Sequence, residues 1–335
     1  RASYYFMGAL LGKFGEAIVG FPGGDNIGPR PIDQHIKGFK ALGAHVDEKE
    51  NTVHITTGPE GLHGAIIFFD LVSVGATINV LLAAVKAKGL TIMENVAREP
   101  EIVDLATFLN NMGAHIRGAG TKEIRVQGVD SHKSMNVHTI IPDRIEAGTY
   151  LSFAAANGNG VLVKNVITEH LDPFLSKLEE MGVRMEIDED EIYVPGGDVL
   201  SPVNIKTSPF PGFATDLQQP ITPLLMQARG SSTIIDTLYP ERTKHIPEMQ
   251  RMGAKISSKD GIITVGHSTD LSGTEVEAGE IRAGVSLVGL ALMAKGTTVI
   301  NKADNILRGY DRIVEKFRGL SVDLEVINES ESLNH

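Results

Sequence analysis

The chain has no cysteine and no tryptophan among its 335 residues. Without cysteine it can form neither disulfides nor thiolate metal sites, and a cytoplasmic location is expected. Basic charge is also scarce: 31 Lys and Arg against 42 Asp and Glu leave a net charge of −11. Such a surface argues against nucleic acid as a partner, because its phosphates must be neutralised by cations. A local basic pocket for a small anion remains compatible with it. Long apolar runs are missing too. The longest, Val285 to Ala294, is interrupted by Ser286 and falls well short of the roughly 20 residues that span a bilayer. Residues 2–12 have an apolar stretch, but Arg1 is their only basic flank and no cleavage pattern follows, so they are not read as a signal segment. No membrane association is expected.

What is present is the composition of a soluble globular protein, 42% hydrophobic and 22% charged, at a length that implies two domains. The 36 glycines against 12 phenylalanines point to tight turns and close helix packing.

One pattern organises the chain. A helix end followed by Gly and a strand recurs as FKALGAHV around Gly43, FLNNMGAHI around Gly113, KLEEMGVRM around Gly182 and EMQRMGAKI around Gly253, with a degraded copy, KFRGLSVDL, around Ser321. The intervals are 70, 69, 71 and 68 residues. A second pattern is interleaved with it: a polar residue, small residues, an apolar helix, then Gly and a β-branched strand. Its copies begin at Arg1, Ser73, Asp143, Thr215 and Ile281. The Gly before each strand fits a helix C-terminus that needs positive φ. Small residues near the helix starts (Ala2, Ala76, Ala147, Gly284) allow close helix approach. Helices apolar nearly all round belong in an interior, whereas strands such as Glu123-Ile124-Arg125-Val126 alternate and read as half exposed. The picture is of helices inside and sheets outside. The boundary between domains is placed at 141/142, with a polar tail, 328–335, expected to be disordered. The chain opens on Arg1, within a segment that reads as helix, and is expected to be the later part of a longer protein.

Helix N-termini carry unpaired N–H groups and partial positive charge, so several that converge would make an anion site. The residues at these starts are Arg1, Ser73, Asp143, Arg144, Thr215, Asp216 and Arg282. Ser73, Asp143 and Thr215 also read as simple N-caps. Arg1, Arg282 and Arg308, at equivalent or neighbouring positions, are suited to phosphate or carboxylate because guanidinium binds both bidentately. The segment PGGDNIGPRP, 22–31, combines three glycines and three prolines with Asp25 and Arg30. It reads as a lid that moves as a unit, or alternatively as a plain surface turn.

These residues carry a resemblance. PGGDNIGPRPID at 22–33, SVGAT at 73–77, AREPEIVD at 97–104, PDRIEAGT at 142–149, FATDLQ at 213–218, ERTKHIPEMQRMGA at 241–254, IRA at 281–283 and RGYDRI at 308–313 resemble the enolpyruvyl transferases. The loop and AREPEIVD resemble the branch acting on UDP-N-acetylglucosamine rather than the one acting on shikimate phosphate. The resemblance covers essentially the whole chain. It implies an α/β fold, an inside-out α/β barrel of pseudosymmetric repeats in two domains, here with the first repeat missing, and an active site between the domains. The implied reaction moves enolpyruvate from phosphoenolpyruvate to the 3′-hydroxyl of UDP-N-acetylglucosamine, the first committed step of peptidoglycan synthesis, and requires no metal or redox cofactor. The alternatives are a shikimate-phosphate transferase and a non-catalytic UDP-sugar-binding paralogue.

By the same resemblance, Arg30 and Arg308, assisted by Arg1, hold phosphoenolpyruvate. Ser73, Val74 and Gly75 form the diphosphate-binding helix start, and Asp216 touches the sugar hydroxyl as base or orienting group. Asp143, Leu238, Arg242 and Arg282 contribute to substrate binding, Glu99 and Glu101 organise the site, and Asp25 is the candidate acid. A free Asp titrates near 3.9, so that role needs burial or a nearby dianion to raise its pKa. The sequence departs from the family pattern in four ways: Asp25 where many members have cysteine, Ala214 where proline is usual, Glu280 where aspartate is common, and no counterpart of a Lys-Asn pair of the first repeat. The last implies that the chain by itself does not complete the site.

Overall fold

The computed structural model describes residues 2–21, 24–25, 27–134 and 137–327. The tail expected to be disordered and Arg1 both lie outside the described residues. The chain forms two compact units. One comprises Arg1–Gly24, Pro29–Ile141 and Pro209–Pro211; the other comprises Asp25–Gly28, Pro142–Ser208 and Gly212–His335.

The first unit runs α1 (Tyr5–Phe14), β1 (Glu16–Gly20), α2 (Asp33–Ala41), β2 (Ala44–Lys49) and β3 (Thr52–Thr57). It continues with β4 (Ile66–Phe68), α3 (Val74–Ala84), β5 (Leu90–Glu94), α4 (Pro100–Asn111), β6 (His115–Arg117) and β7 (Glu123–Gln127). Two sheets form, ordered β1-β3-β2 and β4-β5-β7-β6. Alternation sets their faces: in β7 Ile124 and Val126 are fully buried while Arg125 and Gln127 face out. The helices α1, α2 and α3 supply the other side of the core, with Met7, Phe39, Val80 and Leu81 excluded from solvent. Contact between α1 and α3 is very close. A Cβ on Gly8 would lie 2.0 Å from the Asn79 carbonyl oxygen, and the Gly8 N–H donates to Asn79 Oδ1 at 2.8 Å.

The second unit repeats the plan. Its elements are α5 (Arg144–Asn157), β8 (Val161–Lys164), α6 (Asp172–Met181), β9 (Glu186–Ile187), β10 (Glu191–Val194), β11 (Asn204–Lys206), α7 (Thr215–Leu225) and β12 (Ser231–Ile235). They continue as α8 (His245–Arg251), β13 (Ile256–Lys259), β14 (Ile262–Gly266), β15 (Glu275–Glu277), α9 (Ile281–Ala291), β16 (Val299–Asn301), α10 (Asp304–Leu307) and α11 (Ile313–Gly319). Sheets β8-β10-β9, β11-β12-β14-β13 and β15-β16 result. The helices α5, α7 and α9 are buried along nearly their whole length. Small residues set their spacing: a Cβ on Gly148 would meet Leu217 at 2.7 Å, and one on Gly289 would meet Phe153 at 2.2 Å. Each unit thus places apolar helices against the inner faces of its sheets, whose outer faces are exposed and carry apolar side chains such as Ile66 and Phe68 among the polar ones. Among the described residues the strands form five separate hydrogen-bonded sheets.

The repeat has a backbone basis. Gly43, Gly113, Gly182 and Gly253 adopt φ of 90°, 98°, 91° and 92°, a left-handed turn that glycine tolerates without strain. In the degraded fifth copy Ser321 takes the same region at φ 61°. No strand pair follows it among the described residues.

Candidate active site

The second unit holds a buried ionic cluster at the starts of two central helices. Extended Ala214 precedes α7 and offers no side-chain cap, so Thr215 and Asp216 occupy the first turn, where the helix favours negative charge. The Asp216 carboxylate receives Arg242 Nη1 at 2.6 Å on one oxygen and Arg282 Nη2 at 3.4 Å on the other. Arg242, only 4% exposed, also grips Glu280, donating from Nε at 3.4 Å and from Nη2 at 3.3 Å. Glu280 is the N-cap of α9, accepting from the N–H groups of Arg282 and Ala283 at 3.0 and 3.1 Å. The Arg282 guanidinium lies over the Tyr310 ring, 5.2 Å from its centroid, and the Tyr310 hydroxyl meets Thr149 Oγ1 at 3.0 Å.

Charge decides the protonation states. Burial disfavours the ionised form of Asp216, but Arg242 and Arg282 more than offset it and hold the carboxylate down to about 2. Burial equally disfavours charge on Arg242, and Asp216 and Glu280 outweigh it, raising its pKa further. The tyrosine hydroxyl of Tyr310 is raised, mainly by burial. The Asp216 side chain keeps 39% of its exposure. At neutral pH it is therefore an ionised carboxylate that a hydroxyl can reach from solvent.

Asp25 and Gly28 group with this second unit. The Asp25 carboxylate is ion-paired with Arg308 Nη2, and Gly28 lies beside Tyr239 and Glu241. The loop acid thus occupies the guanidinium that the sequence assigns to an anionic substrate. Asp143 caps α5, accepting from Ile145 and Glu146 at 2.8 and 3.1 Å. Burial opposes charge on Arg282 most strongly, but Asp216 first, then Tyr310 and Asp143, outweigh it and raise its pKa. Leu238 is 36% exposed, and its N–H donates to Asp236 at 3.0 Å.

The remaining expected residues belong to the first unit. Ser73 caps α3, its hydroxyl accepting from Ala76 N–H at 3.2 Å, with Val74 and Gly75 in the first turn. Gly75 packs beneath His35, where a Cβ would stand 3.2 Å from the ring. Glu99 is buried at the start of α4 and accepts from Phe210 N–H at 3.5 Å. Arg30 follows Pro29 in the segment leading to α2.

Two expectations are corrected. Thr215 is not a cap: it lies inside α7, and its hydroxyl donates to Asp236 at 2.6 Å. The residue that organises the α9 start is Glu280, which the sequence marked only as a departure from pattern. Sequence reasoning also missed Asp236, Tyr310 and Thr149. Tyr310 and Thr149 stand inside the motifs RGYDRI and PDRIEAGT, which was the available signal.

The family model for EPSP synthase (3-phosphoshikimate 1-carboxyvinyltransferase) matches residues 1–317. A Lactiplantibacillus plantarum protein named UDP-N-acetylglucosamine 1-carboxyvinyltransferase 2 is 63% identical over 331 residues, 99% of this chain and 78% of that protein. A Streptococcus pneumoniae protein named UDP-N-acetylglucosamine 1-carboxyvinyltransferase is 55% identical, covering 98% of this chain and 78% of that one. Among solved structures, the enolpyruvyl transferase NikO from Streptomyces tendae superposes with a TM-score of 0.85 at 23% identity, over 96% of this chain and 76% of that one. EPSP synthase from Acinetobacter baumannii does so at 0.71 and 19%, over 97% and 78%. The two structures share the two-domain α/β fold. With the family model and the close relatives in agreement, this chain belongs to the EPSP synthase family of enolpyruvyl transferases.

Proposed function

We propose that the protein transfers enolpyruvate from phosphoenolpyruvate to the 3′-hydroxyl of UDP-N-acetylglucosamine, releasing phosphate, in the cytoplasm and as the entry to peptidoglycan synthesis. The observation that carries this reading is Asp216, ionised, reachable and flanked by buried Arg242 and partly buried Arg282 at a helix start. The relatives' printed names supply the acceptor.

The chemistry follows as addition and elimination. C3 of phosphoenolpyruvate takes a proton, making C2 electrophilic, and the sugar hydroxyl oxygen bonds to C2 as its own proton departs. The C2–O bond to phosphate then breaks, and C3 loses a proton to restore the double bond. Asp216 accepts the hydrogen bond of the attacking hydroxyl. A carboxylate near 2 is a weak base, so its present partners must loosen for it to take the proton. Arg282 is the looser of the two, at 3.4 Å against 2.6 Å for Arg242. An anionic substrate that drew Arg282 away would remove one of the charges that depress Asp216 and raise its basicity. Arg308 would exchange the Asp25 carboxylate for a substrate anion, freeing Asp25 to act near C3. Guanidiniums offset the charge throughout.

Competition between acceptors tests the reading. Full-length protein given phosphoenolpyruvate with equal UDP-N-acetylglucosamine and shikimate 3-phosphate should yield only the enolpyruvyl ether of the sugar nucleotide by mass spectrometry. Product on shikimate 3-phosphate, or nucleotide binding without any product, would overturn it.

A further inference from the structure

Asp236 follows the last residue of β12 and is 4% exposed. Its carboxylate is saturated by donors from three separate segments. Oδ1 accepts from Thr207 Oγ1 at 2.8 Å, Leu238 N at 3.0 Å and Tyr239 N at 2.9 Å. Oδ2 accepts from Thr215 Oγ1, at 2.6 Å.

The direction of each link beyond this is forced. Thr215 Oγ1 donates to Asp236 Oδ2, which spends the single proton of its hydroxyl. The lone pairs of Thr215 Oγ1 are then left as acceptors, and Arg242 Nη1 donates to them at 3.2 Å. Guanidinium can only donate, and the same Nη1 donates to Asp216 Oδ1 at 2.6 Å. The other end of Arg242 is fixed by Glu280. Without an accepting Thr215, Nη1 loses one of the two acceptors that set its position.

We propose that Asp236 is a positioning residue for the reaction: through the Thr215 hydroxyl and the Arg242 guanidinium it fixes the orientation of the Asp216 carboxylate. The proposal rests on the reading that Asp216 faces the sugar hydroxyl. Among the described residues Asp236 makes no hydrogen bond to Asp216 or Arg242, and Thr215 is the intermediary.

Asp236→Asn tests this with little disturbance elsewhere. The amide oxygen still accepts from Leu238, Tyr239 and Thr207, while its NH2 replaces the oxygen facing Thr215. That NH2 donates to Oγ1 where an acceptor is required, and the hydroxyl proton must turn away. The expected result is a fall in kcat of roughly ten- to a hundredfold, the scale of a small misplacement of a reacting group, with KM for UDP-N-acetylglucosamine within about threefold. Thr215→Val should lose a similar factor, and Thr215→Ser should recover it. The Asp236→Asn/Thr215→Val double variant should be no slower than the slower single, because both cut one relay. Wild-type kcat in Asp236→Asn, or multiplying losses in the double variant, would overturn the proposal. If Asp236→Asn fails to fold, the Val and Ser pair at Thr215 decides alone. Asp216→Asn separates the two levels. Wild-type kcat there removes the underlying reading of Asp216, whereas a large loss there with none in Asp236→Asn and Thr215→Val removes only the relay.

Discussion

Replacing Arg242 by methionine keeps an unbranched apolar stem and removes the guanidinium charge. In the native protein this guanidinium, 4% exposed, serves Glu280 twice, Asp216 once and Thr215 once. Its loss falls unequally on the two carboxylates. Asp216 is 39% exposed and keeps Arg282, so water can screen what it loses. Glu280 is 1% exposed, and its remaining partners are two backbone N–H groups at 3.0 and 3.1 Å. An ion left uncompensated in such a place costs about 3–5 kcal/mol, a large part of the roughly 5–15 kcal/mol by which a folded protein is stable. The same reasoning requires that a second substitution restore stability. In Arg242→Met/Glu280→Gln the buried charge is gone and the amide oxygen can still accept a capping bond, so most of the loss should return. Urea unfolding followed by far-UV circular dichroism suits a chain without tryptophan. A double variant less stable than Arg242→Met would refute the assignment of the cost to unpaired Glu280.

Three further outcomes are expected. His245 is fully buried and accepts from Gln219 Nε2 at 3.1 Å; burial first, then the charge of Arg242, hold its pKa down to about 3. The imidazole is therefore neutral when folded but titrates near 6.5 when unfolded. Its contribution is fully present above about 6.5 and is lost as pH falls towards 3, reaching about 2 kcal/mol by about pH 5. His245→Gln should show a pH slope of stability shallower by one proton, and an unchanged slope would count against burial of the neutral ring. Gly8→Ala places a Cβ 2.0 Å from the Asn79 carbonyl oxygen, and should lower thermal stability by at least about 1–3 kcal/mol; an unchanged melting temperature would contradict the close packing of α1 on α3. Finally, a carboxylate is a much weaker nucleophile than a thiolate, so the epoxide fosfomycin should leave Asp25 unmodified, which a mass spectrum with an adduct on Asp25 would disprove.

Some of this was legible in the sequence and some was not. Four copies of the repeat were readable because left-handed turns leave a glycine at a fixed distance from an apolar helix, as at Gly43 and Gly253, and the fifth, with Ser321 in that place, by its spacing. Ser73 and Asp143 were readable as caps because a cap is a local contact within three residues. Thr215 failed for the same reason in reverse: its hydroxyl is claimed by Asp236, 21 residues away, and distant donors leave no local pattern. Asp236 was invisible because the side chains that tie it to the site, Thr207 and Thr215, lie 29 and 21 residues away and are joined to it only by the fold. Glu280 differed from its expected aspartate by one methylene, and only the backbone shows that α9 starts there. Asp216, Arg242 and Arg282 were flagged through motif resemblance; their mutual contact required the structure.

Phosphate release from phosphoenolpyruvate, followed for the wild type and Asp216→Asn side by side, probes the core of the account. The wild type should release phosphate only when UDP-N-acetylglucosamine is also present, and Asp216→Asn should be slower by about 10²–10⁴-fold while still binding the nucleotide. Equal rates in the two proteins would mean that the carboxylate between Arg242 and Arg282 does not meet the attacking hydroxyl.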